Sequence, residues 1–138
     1  MALDAPMIEM VRAHWSPDIA ADLRTIAMHS ESDLIAFRDQ VTCGAMDALE
    51  LQFGGDRIGS MIWSIANEYA GPVMVINALA ARPVPGVCVV TDLHARFVEF
   101  AQASGCSGLR CWTKRAGLVR KLEKKQWARA AFVLELEF

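Results

Sequence analysis

Eight residues from Val73 to Ala80 carry a single polar side chain, Asn77, and sit between chain breakers: Gly71 and Pro72 ahead, Pro83, Pro85 and Gly86 behind. A membrane span needs roughly 20 apolar residues, so this run is too short to be one. It is also too evenly apolar for a strand with one wet face, where apolar and polar residues alternate. It therefore reads as the central strand of a sheet covered on both sides, about 73–80. A strand buried in this way requires a layer of helices on each face, which predicts an α/β chain with a mixed sheet. The 138 residues, 54% hydrophobic and 22% charged, supply enough apolar mass for one domain over 1–138 and exclude a disordered tail protein.

The flanking segments supply the other layers. Met7 to Ala13 reads as an opening strand. Ser16, Pro17 and Asp18 then give an N-cap, a proline at the first helical position and an acid that complements the helix dipole. Ile19, Leu23 and Ile26 follow at helical spacing. A second helix is predicted from near Ser32 to about Val41, closed by Cys43 and Gly44. Leu49, Leu51 and Phe53 alternate with Glu50 and Gln52, Gly54 and Gly55 signal a hairpin, and Ile58 to Ala66 returns as a strand. Beyond the proline-rich loop, Val90, Leu93, Phe97 and Phe100 recur at helical spacing up to the C-terminal signal at Gly105. A short strand from Leu109 to Trp112, a basic helix from Ala116 to about Lys125 and an alternating strand from Phe132 to Phe138 complete the expected order, β-α-α-β-β-β-α-β-α-β.

The chemistry-bearing residues are sparse. His14, His29 and His94 lie far apart, and the four cysteines form no CxxC pair, so no metal site is expected and the cysteines are read as free thiols. Met1 to Pro6 shows no basic segment followed by an apolar one, so no secretory signal is expected. The net charge of −2 conceals a basic region. Residues 110–129 hold eight Lys or Arg side chains against Glu123 alone. Such a segment suits phosphates or an acidic protein surface, or is simply a solvated helix face. Only Trp112 and Trp127 flank it, too few aromatics for a nucleic-acid stacking platform. Cys111, beside Arg110 and Lys114, is either a thiol of lowered pKa or a buried strand cysteine. Glu68 and Glu50 read as exposed carboxylates, Tyr69 as a turn residue, and Asn77 as a buried amide within a local hydrogen-bond set.

The element order, the apolar strand 73–80 with its Pro/Gly loop, the long helix ending at Ser104, Gly105 and Cys106, and the sequels Leu109 to Thr113, Leu118 to Leu122 and Lys125 to Trp127 together resemble the GNAT acyltransferase superfamily. The resemblance implies a single GNAT-like domain. It also implies a loop of the form Q/R-x-x-G-x-G/A after the central strand, where backbone amides at a helix N-terminus hold the pyrophosphate of acetyl-CoA. Here the loop runs from Arg82 through Pro83, Val84, Pro85, Gly86 and Val87 to Cys88. In one register Cys88 and Val90 occupy the small-residue positions, and in the other Pro85 replaces the first glycine. Leu79, Ala81, Gly86, Val87 and Cys88 are the residues the resemblance assigns to the coenzyme. Glu68 (with Glu50 second) is the implied base; Tyr69 and Asn77 complete the implied catalytic set.

Gly105 and Cys106, Thr113 to Arg115, and Lys125 to Trp127 are also similar to small GNAT-like proteins of bacteriophages. Because the loop lacks paired glycines and the helix after the fifth strand lacks a tyrosine, the sequence favours an interaction or assembly protein, including a phage virion component, with weak or absent acetyl-CoA chemistry and no required cofactor. The alternative is an active acetyl-CoA-dependent N-acetyltransferase. The expected partners are other proteins or further copies of the chain, with the basic helix 114–125 meeting an acidic surface. The expected location is cytoplasmic, or the virion if phage-encoded.

Overall fold

The computed structural model describes residues 8–26, 30–111, 120, 122–125 and 127. Strand β1 (Glu9–Ala13) leads into helices α1 (Pro17–Arg24) and α2 (Glu31–Thr42). Strands β2 (Asp47–Phe53), β3 (Asp56–Glu68) and β4 (Gly71–Ala81), helix α3 (Val89–Ala103) and strand β5 (Gly108–Cys111) follow. Residues 120 and 122–124 are also helical. The expected order therefore holds up to the basic helix. Most of that helix, with Trp112 and the strand expected at 132–138, lies outside the described residues.

The five strands lie in sequence order, antiparallel from β1 to β4 and parallel between β4 and β5. Helix α3 makes the crossover that a parallel pair requires. On one face its Leu93 and Phe97 pack with Ile8, Leu49, Leu51, Ile58, Met61 and Ile76. On the other face Ile19 and Leu23 of α1 and Leu34 of α2 cover Ala48, Ile62 and Ala78. Met74, Val75, Ile76, Ala78 and Ala80 are all buried, so β4 is the doubly covered strand that its composition required.

Local chemistry explains where the helices begin. Ser16 Oγ accepts from the Ile19 amide at 3.2 Å, with Pro17 at the first helical position. Helix α2 begins slightly earlier than expected, because Ser30 rather than Ser32 caps it: Ser30 Oγ takes the Asp33 amide at 3.2 Å, and Asp33 Oδ2 takes the Ser30 amide at 2.7 Å. This reciprocal pair satisfies two helix-start donors at once. The helix α1 is bound to β3 by a group no sequence pattern flagged. The fully buried Ser60 donates to Asp22 Oδ2 at 2.5 Å, and the Arg57 guanidinium pairs with the same carboxylate. Asp92, in the first turn of α3, accepts the Ile8 amide at 2.9 Å and so ties the start of β1 to that helix.

Two interruptions of the ladder shape the middle of the sheet. Ile62 faces Ala78 while Trp63 faces Ile76, so Asn77 is the extra residue of a β-bulge in β4. A second shift leaves Ile58 as the extra residue opposite Leu51 and Gln52. Between them, β3 comes so close to β4 at Gly59 that only glycine fits. A Cβ there would lie 2.8 Å from Ala81 Cα and 2.9 Å from the Ala80 carbonyl carbon.

Candidate functional site

The loop that leaves β4 is built around its prolines. Pro85 and Gly86 are the central residues of a tight turn in which the Val87 amide donates to the Val84 carbonyl at 3.1 Å. Gly86 has φ +75°, the value required at the third position of a type II turn, which proline at the second position favours. The turn consumes the Val87 donor, and Pro83 and Pro85 have none. Val84, Gly86 and Cys88 keep their N–H groups, and further donors stand at the helix start. The first helical bond runs from the Asp92 amide to the Cys88 carbonyl at 3.0 Å, and the N-cap Cys88 makes no side-chain cap bond to a backbone amide. The amides of Val89, Val90 and Thr91 thus have no intrahelical acceptor, the ordinary state of a helix start.

A cleft of about 310 Å³ opens at this helix start, lined by Cys88, Val90, Thr91, Lys124 and Lys125. The two lysines reach it because the chain closes tightly after residue 122: the amides of Lys125 and Trp127 both donate to the Leu122 carbonyl, at 2.9 and 3.1 Å. The Trp127 indole N–H then donates to His94 Nε2 at 2.8 Å, its ring centroid 6.0 Å from the imidazole. Accepting at Nε2 requires neutral His94 with its proton on Nδ1. Burial holds the His94 pKa below its ordinary value, and the neighbouring Lys125 ammonium pushes it the same way.

Strand β4 precedes this loop and helix start. Pairing with β5 runs from Val73↔Gly108 to Ile76↔Cys111, the last described residue of that strand. Arg82 donates its amide to the Ile58 carbonyl at 2.7 Å. Backbone groups alternate between the two edges of a strand, so this bond sets the parity. Ala78 and Ala80 address β3, whereas the N–H and C=O groups of Leu79 and Ala81 address the opposite edge, where no described strand pairs with them. At the bulge itself, Asn77 donates through Nδ2 to Ser64 Oγ at 2.9 Å and is half-buried.

Asn77, Leu79 and Ala81 thus lie on the second half of β4, Gly86, Val87 and Cys88 in the loop that follows it, and the other candidates elsewhere. Glu68 pairs with Gly71 at the far end of β4. At ~3.3 Å per residue, that end lies on the order of 30 Å from Ala81. There Glu68 meets the Arg110 guanidinium at 2.5 Å, and the hydrogen bond to that cation holds its carboxyl below the usual range. Tyr69 is fully exposed in the turn. Glu50 lies on β2 in the row of Ser60, half-buried. Of the two readings of Cys111, the structure supports the strand cysteine: burial raises its thiol pKa, the opposite of activation, and Arg110 is engaged with Glu68. Trp63 packs edge-on against Phe100 at 5.1 Å, a core role. A second cleft, of about 330 Å³, lies at the opposite end of the sheet beside the Arg12–Asp47 ion pair and His14.

Sequence reasoning missed the convergence of Lys124 and Lys125 on the helix start. The basic run itself was visible; its destination depends on a contact between His94 and Trp127, 33 residues apart.

No family model matches the chain, and no curated protein matches it. Solved structures do match. A ribosomal-protein-alanine N-acetyltransferase from Brucella melitensis superposes with a TM-score of 0.70 at 17% identity, over 96% of this chain and 99% of that one. An aminoglycoside N-acetyltransferase in complex with CoA gives 0.65 at 13% identity, over 100% and 99%. A Trypanosoma brucei acetyltransferase gives 0.65 at 16% identity, over 95% and 99%. The chain has the mixed α/β fold of the GNAT acetyltransferases. None of these likenesses supports the expected kinship with phage virion proteins. Among the described residues, no helix is long and apolar enough to cross a membrane.

Proposed function

We propose that this chain is an acetyl-CoA-dependent N-acetyltransferase acting on an amine of a small molecule or protein, the alternative reading of its sequence. The observation that carries this reading is the bulged central strand: β4 has an extra residue at Asn77, turns the backbone groups of Leu79 and Ala81 to the edge away from β3, and is followed by a helix start that borders a cleft lined by Lys124 and Lys125. Bulges re-aim backbone groups and are common beside active sites. An extended amide-bearing arm such as pantetheine suits an open strand edge, where it hydrogen-bonds as an added strand would. The phosphates suit the α3 start, where unbonded amides and the helix dipole favour anions.

Bound there, acetyl-CoA would supply a thioester carbonyl for attack by an amine nitrogen. The new C–N bond replaces the C–S bond, and the amine proton ends on the departing sulfur. The contribution of this chain is to hold the reactants in register, an effect that can lower the barrier by several kcal/mol. Glu68 is remote from this path and its carboxylate is stabilised by Arg110, which makes it a weak base. The assembly reading draws less support. Val11, Ile35, Ile65 and Tyr69, the exposed large apolar residues among those described, lie on separate elements, and scattered singles of this kind are ordinary.

The test is ligand-dependent melting. At a hundredfold excess over Kd, acetyl-CoA should stabilise the fold by about 2.7 kcal/mol, a shift of several degrees, and an amine panel should reveal CoA thiol release. No shift at millimolar acetyl-CoA would refute the proposal.

A further inference from the structure

A side-chain hydrogen bond with a titratable acceptor joins helix α3 to the chain after residue 122: the Trp127 indole N–H donates to His94 Nε2 at 2.8 Å. An indole nitrogen can only donate, so this bond exists only while His94 is neutral and Nε2 keeps its lone pair. Protonation sets an N–H on Nε2 against the indole N–H and turns an attraction into a meeting of two donors. The surroundings oppose that proton. Burial works against the imidazolium, and of the charged residues described on the facing segment (Arg120, Glu123, Lys124 and Lys125) the Lys125 ammonium adds to the effect. On α3 itself, Asp92 and Arg96 stand two residues to either side of His94, a spacing at which helical side chains do not face each other. Asp92 accepts the Ile8 amide at 2.9 Å, and Arg96 lies 3.9 Å from Glu99.

We propose that the His94–Trp127 contact is an acid-released latch: closed while the imidazole is neutral, it holds the 122–127 segment against α3, and one proton on His94 opens it without unfolding the sheet. The segment can leave as a unit. The amides of Lys125 and Trp127 both donate to the Leu122 carbonyl, at 2.9 and 3.1 Å, and those bonds do not depend on His94. Helix α3 can stay behind, because Leu93 and Phe97 anchor it in the core and Asp92 ties it to Ile8. Lys124 and Lys125 line the cleft at Val90 and Thr91, one helical turn before His94, so opening removes that wall. The direction follows from the proton. The closed state requires neutral His94, whereas a freed imidazole takes a proton near its ordinary pKa of about 6.5. The latch is therefore closed above that pH. Below it the ratio of open to closed rises by up to about tenfold per pH unit, until the pH reaches the lower pKa of the closed form. The device needs no ligand, so it stands or falls independently of the acetyl-CoA reading.

The experiment is an NMR titration of the full chain, with isotope-labelled tryptophan and histidine, across the ordinary histidine range from about pH 8 to about pH 5. It follows the indole N–H groups and the His94 imidazole, with Trp127→Phe assigning the Trp127 signal. In wild type the Trp127 indole proton should move from a hydrogen-bonded to a free position, with the midpoint at which His94 takes its proton, while the indole of Trp63, packed against Phe100 in the core, stays where it is. His94→Gln keeps an acceptor that gains no proton, and there the Trp127 indole should remain bonded throughout. In His94→Leu it should be free at every pH. Trp127→Phe, which removes the donor that favours neutral imidazole, should raise the His94 pKa. A Trp127 indole that stays bonded while His94 titrates, or that moves alike in wild type and His94→Gln, would overturn the inference. So would a His94 that takes no proton in this range, or a Trp63 signal that moves in step with Trp127, since acid would then unfold the whole chain at once.

Discussion

Adding one methyl group at Gly59 tests whether the close approach of β3 to β4 is what brings the central strand to its loop. A Cβ at this position would meet the backbone of β4: Ala81 Cα at 2.8 Å, the Ala80 carbonyl carbon at 2.9 Å and, closer still, the Ala80 oxygen. No side chain can swing aside, so the strands must part by on the order of 1 Å or more to restore van der Waals distance. The neighbouring Arg82 to Ile58 bond, 2.7 Å long, would stretch first. Overpacking costs about 1–3 kcal/mol and each weakened ladder bond about 1 kcal/mol. Gly59→Ala should therefore lose about 3–4 kcal/mol, or on the order of 10 °C in Tm for a chain of this length. Gly86→Ala provides the contrast: its Cβ would meet nothing within 4 Å, and only the φ of +75° is strained, a cost of about 1–2 kcal/mol. Urea denaturation of both variants measures the difference. A Gly59→Ala protein within 1 kcal/mol of wild type would show that the two strands do not approach as described.

Three further outcomes follow from the side-chain networks. Asp22→Ala leaves the buried Ser60 hydroxyl and the Arg57 guanidinium without their carboxylate and should cost about 2–3 kcal/mol in chemical denaturation. His94 has a folded pKa below its unfolded value of about 6.5. The unfolded chain thus binds the extra proton first, and stability should be complete above that pH and decline as pH falls through it, with His94→Gln flattening this part of the pH–Tm profile. Glu68→Gln removes the Arg110 ion pair at the far end of β4 and should leave acetyl-CoA affinity unchanged by calorimetry; a large loss would return Glu68 to the site.

Much of the fold was legible because local chemistry dictates it. The uninterrupted apolar run of β4, the Ser16-Pro17 helix start and the paired glycines after Phe53 each permit one conformation far better than any other. The N-cap of α2 was misplaced because Ser30 and Ser32 are both plausible caps; what decides is the carboxylate three residues on, and Asp33 stands in that relation to Ser30. The site was less legible. A bulge is a difference in register between two strands, and nothing in the composition around Asn77 marks it. Asp22 and Ser60 meet across 38 residues, Trp127 and His94 across 33. The preference for an assembly role arose from the same gap. Judged along the sequence, the loop after β4 lacks its glycines; in space, Lys124 and Lys125 bring charge to the same place.

Residue-resolved amide hydrogen exchange with and without acetyl-CoA tests the central claim most directly. Protection should rise at Leu79 and Ala81 on the edge of β4 away from β3 and at Val89 to Thr91 in the first turn of α3. Unchanged exchange at those amides, or protection confined to the Arg12, His14 and Asp47 cleft at the other end of the sheet, would contradict it.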